Sequence, residues 1–178
     1  MTASGNELAN YEEILAVQNQ INDIMGDSKM IAADVAMEAV NIGKSWGYGA
    51  ELAGEVQGSL MALGATQEEA LEIQRETNLA ALKAGVDMGK DQKDIAKNAK
   101  SVSKYLAGNP EALAAAAIEA AKLGVSLEQM GKVADGLLNI ESSLQAQFEF
   151  QAMTGKQINL SKARQLALDG DIAGAMKE

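Results

Sequence analysis

The feature that most constrains this chain is its punctuation. Apolar residues recur at three- and four-residue steps, and each such run closes on a glycine: Gly26, Gly64, Gly85, Gly108, Gly124 and Gly155. A glycine just past a helix takes φ > 0 at no steric cost, and a following Ser, Thr, Asp or Asn can cap the next helix. Two junctions read as complete capping boxes, Thr66 with Glu69 in LGATQEE and Ser126 with Gln129 in LGVSLEQ. Asn109-Pro110-Glu111 is a further helix start with proline in the first turn. This grammar predicts an all-α chain of about seven to nine helices joined by Gly-centred connections of roughly two to five residues. Compact bundle and extended helical array both satisfy it. Residues 1–178 read as a single all-helical domain or fragment, with a subdivision into 1–64 and 65–178 left open. The two LG-centred junctions lie 60 residues apart; little else aligns between them, so ordinary helix ends explain them better than a duplicated unit.

Taken in order, residues 1–6 are small, polar and expected to be loose. Glu7 to Met25 carries Leu8, Tyr11, Ile14, Leu15, Ile21 and Met25 at helical spacing. Asp27 or Ser28 is placed to cap a second helix through about Ile42, with Met30, Ile31, Val35, Met37 and Val40 as its larger apolar residues. Gly43, Gly47 and Gly49 around Trp46 and Tyr48 make the strongest break in the first half. In the next segment Ala50, Gly54, Gly58 and Ala62 recur every fourth residue, a stripe that lets another helix approach closely. Helices are then expected over about 67–84, 90–107 and 110–123. The middle one has five lysines and few large apolar residues, and reads as the most solvated. The alanine run 112–121 suits a thin helix pressed between others.

From Ser126 the residues Leu127, Met130, Val133 or Ala134, Leu137, Ile140, Leu144 and Phe148 keep helical period for roughly 25 residues, which predicts one long amphipathic helix whose face needs a partner. After Gly155, Asn159 or Ser161 can cap a short helix, Asp169-Gly170-Asp171 can turn, and a last helix begins. Its shortness suggests a fragment.

Composition narrows the chemistry. The chain has neither His nor Cys, so Ser-His-Asp, Cys-His and His- or Cys-based zinc arrangements are absent. No phosphate loop is present, and an enzyme is not expected. Asp169, Asp171 and Gly174 match three positions of a calcium loop, but Ala173 stands where an oxygen ligand belongs, so the ordinary turn is the better reading and no metal or cofactor is expected. Net charge is −10 with dispersed Lys and Arg, which disfavours nucleic acid. Charges interrupt every apolar window long enough to span a bilayer. Alanine accounts for 32 residues and aromatics for 3%, so the core is expected to be built from thin, closely spaced helices.

Within residues 120–171, the LGVSLE junction, NIESS, and the ending TGKxINLxxARxLAxxGD together resemble segments of bacteriophage tail tape measure proteins and related large helical virion proteins. The resemblance implies a noncatalytic segment of a longer polypeptide in the virion tail, assembled in the host cytoplasm. It also implies several copies side by side, with partners in self-association and other tail proteins. No small-molecule substrate is expected. The alternative is a stand-alone helical interaction module that uses Trp46, Tyr48 and the nearby glycines. The candidate interaction surface is Trp46, Tyr48, Gly54, Gly58, Met130, Leu137, Leu144 and Phe148.

Overall fold

The structure is a computed structural model that describes residues 3–26, 31–106 and 108–178, with backbone alone for 3–10. Helix makes up 81% of it, and no strand occurs among the described residues. Among those residues ten α-helices follow in order: α1 Ala3–Met25, α2 Ala33–Ser45, α3 Ala50–Ala62, α4 Gln67–Ala84, α5 Met88–Val102, α6 Pro110–Leu123, α7 Leu127–Leu138, α8 Ile140–Thr154, α9 Ser161–Leu168 and α10 Ile172–Lys177. A 3-10 turn, Ser103–Tyr105, continues α5.

Local chemistry sets the boundaries. Thr66 and Ser126 form both halves of their capping boxes, and Asn109 caps α6 with Pro110 in its first turn. Gly85 and Gly124 close α4 and α6 in the left-handed region, at φ 70° and 72°.

Packing follows residue size. α3 lies against α1, and α2 covers another side of α3. A Cβ added at Gly54 would sit 3.0 Å from the Val17 Cα, and one at Gly58 would sit 3.1 Å from the Ile21 Cα. The stripe expected on α3 is therefore filled by α1 of the same chain. α6 is the thin helix its alanines suggested, with Leu113, Ala114, Ala116, Ala117, Ile118 and Ala120 buried. One apolar cluster runs from Val17 to Ile172 and crosses residue 64 without a break. A smaller cluster of Leu137, Ala163, Ala167 and Ala175 joins α7, α9 and α10.

Several expectations are corrected. The long helix from Ser126 divides at Asn139, which leaves helical geometry with ψ 87°. The Asn139 side chain accepts the Ser142 N–H at 3.2 Å and so restarts the chain as α8. In α1 the buried residues are Val17 and Ile21, while Tyr11 and Leu15 are exposed, because the face is set by where α3 lies. α2 starts at Ala33 after an Ala32 that offers no side-chain cap; Asp27, Ser28 and Met30 lie outside the described residues. α5 is not the most solvated helix. It packs among α3, α4, α6 and α7, burying Asp91, Gln92, Ile95, Ala99 and Val102 and keeping its lysines outward. Within residues 1–6, Ala3 to Asn6 belong to α1 where a loose start was expected.

Candidate interaction surface

The helix that its own chain covers least is α8, in which Ser143 alone is buried among the described residues. Asn139 turns the chain away from α7, and Gly155 ends the helix at φ 68°. Its lateral hold is polar: Arg164 of α9 donates from Nε to the Ser143 hydroxyl at 2.5 Å and from an Nη to the Gln147 amide oxygen at 3.1 Å.

At roughly 100° per residue, Ile140, Leu144 and Phe148 fall on one side of the line through Ser143 and Gln147, and Phe150 and Met153 on the other. Glu141, Gln145 and Glu149 occupy the far face. The five apolar side chains are open to solvent, Phe148 at 65% and Met153 at 86%. Taking roughly 200 Å² for each large side chain, about 300 Å² of apolar area is uncovered on the first side and about 250 Å² on the second. α8 contains no Lys or Arg. It offers hydrophobic contact with an acidic border.

The other expected surface residues are placed differently. Met130 is fully buried and Leu137 is 8% exposed, both packed into the chain's own clusters. Gly54 and Gly58 are held by α1. Leu144 and Phe148 are open, so the expected continuous stripe is closed up to Leu137 and uncovered beyond Asn139. Leu137 thus belongs to the core, and changing it damages the fold itself.

Trp46 and Tyr48 are half-buried at the α2–α3 corner. The Tyr48 and Gly49 N–H groups both reach the Gly43 carbonyl at 3.0 Å, and the Gly49 backbone passes so close to Gly43 that no side chain fits there. The Tyr48 hydroxyl accepts from the Asn78 amide at 3.0 Å, and Asn78 in turn accepts from the Gln92 amide at 2.9 Å. Burial pushes the Tyr48 phenol up to about 12. Tyr48 is thus a strut between α2 and the α4–α5 pair. Trp46 lines a shallow cleft of about 360 Å³ with Glu38, Arg75 and Leu79.

A larger cleft of about 680 Å³ opens between the α4–α5 turn, α5 and the α6–α7 junction. Asp94 spans it, accepting the Leu127 N–H at 2.7 Å and so fastening α5 to the start of α7. Asp91, one turn earlier, is 2% exposed, and no described residue donates to either of its carboxylate oxygens. Burial, and after it the charge of Asp94, pushes Asp91 up to about 7. The sequence carries a signal for it: Asp91 shares the α5 stripe of Ile95, Ala99 and Val102.

At the calcium-like turn Asp171 caps Gly174 at 2.7 Å, and Gln165 holds Asp169 at 3.0 Å. No group of three or more metal-ligating side chains occurs among the described residues, and no described helix is long and apolar enough to cross a membrane. No family model, curated protein or solved structure matches this chain.

Proposed function

We propose that this chain is a noncatalytic assembly segment that joins other chains, including copies of itself, by helix–helix packing on α8. The observation that carries the reading is the apolar band of α8, which the chain's own helices leave open. Exposing Phe148 and Met153 costs a monomer solubility, and covering an aromatic side chain contributes about 1.5–3 kcal/mol. A helix of this kind is stable in company. The likeness of residues 120–171 to tail tape measure segments supports placing the assembly in a phage tail, built in the host cytoplasm, with neighbouring tail proteins as the other partners.

The test is solution mass by light scattering, with small-angle scattering, on the wild-type chain and on Leu144→Asp/Phe148→Asp. Both positions are open, so the variant keeps its helical signal and melting point. The wild type is expected to form oligomers and the variant to be monomeric. A wild-type monomer at high concentration with a radius of gyration near roughly 16 Å overturns self-association; oligomers that persist in the variant overturn the choice of α8.

A further inference from the structure

We infer that Asp91 is a proton-operated latch, closed when the carboxyl is neutral and loosening the seam between α5 and the α6–α7 junction when it ionises. The argument stands on placement. A carboxylate with no donor among the described residues, 2% exposed, sits beside a cleft of about 680 Å³. An ionised carboxylate needs water or a donor, and burying it bare costs several kcal/mol. The nearest route for water is the cleft, whose walls include Val86 of the α4–α5 turn and Val125 of the α6–α7 junction. Ionisation also sets a second negative charge one turn from Asp94, whose carboxylate ties α5 to the first N–H of α7. Hydration and repulsion therefore act on the same seam.

Among the described residues, no neighbouring charge relieves Asp91. The inward face of α4 is Ala70, Leu71, Ile73, Gln74, Thr77, Asn78 and Ala81, all uncharged. Glu51 and Glu55 of α3 line a separate cleft with Lys93. Glu119 of α6 is paired with Lys122 and Lys177, and Glu128 of α7 with Lys132. In the cleft itself the charged groups, Asp87, Lys90, Lys93, Asp94 and Lys97, all come from α5 or its cap, and the lysines are turned outward.

The sign follows from linkage. The folded chain holds the Asp91 proton up to about 7 while the unfolded chain releases it near 3.8, so between these values the folded state binds more protons. Stability from this group is complete below about 4, falls about tenfold in folding constant per pH unit across the window, and levels off above about 7.

The experiment compares wild type with Asp91→Asn by hydrogen exchange from pH 5 to 8, corrected for intrinsic rates, together with a ¹³C carboxyl titration of the wild type. The wild-type carboxyl is expected to titrate near 7. Opening at 88–102 and 117–130 should rise about tenfold per unit up to that point, while amides of α1 and α3 that exchange by local fraying change little. In Asp91→Asn the rise should be absent. A carboxyl midpoint below 5 overturns the latch whether or not the variant folds. So does an opening profile shared by both proteins.

Discussion

Two helices of similar length show what decides burial in this chain. α3 has 13 residues, two of them interior glycines, and eight are buried; α8 has 15 residues, including Ile140, Leu144, Phe148, Phe150 and Met153, and one is buried. Hydrophobic content does not account for a difference this large, since α3 carries four large apolar side chains and α8 carries five. α3 is covered because Gly54 and Gly58 let the α1 backbone come to van der Waals distance, whereas α8 is rotated away at Asn139 and touches α9 through Arg164. Burial here is set by approach distance and chain direction.

The hardest blow to that contrast is to fill the approach. In Gly54→Leu the Cβ alone meets the Val17 Cα at 3.0 Å and its carbonyl oxygen at 3.1 Å, and backbone cannot rotate aside. The expected cost is about 3 kcal/mol or more, lowering the melting temperature by roughly 6–12 °C. The same side chain introduced by Ala152→Leu on α8 meets solvent and should shift the midpoint by less than about 0.5 kcal/mol. Equal effects at the two positions, measured by urea unfolding, would remove the distinction.

A middle-sized effect is expected at a helix junction that lies between the two. Ser126→Ala removes the hydroxyl that accepts the Gln129 N–H at 3.2 Å and opens one half of the box at the start of α7. About 1 kcal/mol should be lost, read as a shift in urea midpoint at unchanged slope. Ser126→Thr should restore most of it.

What could be read from the sequence divides along the same line. Capping boxes, the Pro110 start and the glycine ends are local, and residues three or four apart suffice to specify them. The break at Asn139 is local too, but Leu137, Ile140 and Leu144 keep helical steps straight across it, so periodicity conceals a cap that Asn139 and Ser142 spell out. The small-residue stripe on α3 announces a close neighbour without naming α1, since a spacing does not say which helix fills it. Leu144 and Phe148 stand in the open surface while Met130 and Leu137 stand in the core, because one stripe is shared by two helices pointing different ways. Asp91 was readable as an acid on an apolar face. That it lacks a donor depends on α4 and α6, far along the chain.

The smallest effect tests how α8 is held. Among the described residues Arg164 is its one lateral polar tie, to Ser143 and Gln147, and the shared apolar cluster beneath it belongs to α7, α9 and α10. Arg164→Ala should therefore leave global unfolding within about 0.5 kcal/mol, because α8 opens locally before the core does. Amide exchange over residues 143–154 should nevertheless quicken by about tenfold, since a charge-assisted tie is worth about 1.5–3 kcal/mol when formed and part is regained from water. If exchange there is unchanged, Arg164 does not position α8, and the Asn139 turn alone fixes its direction. If the global midpoint instead falls by several kcal/mol, α8 belongs to the core, and the contrast with α3 fails at its weaker end.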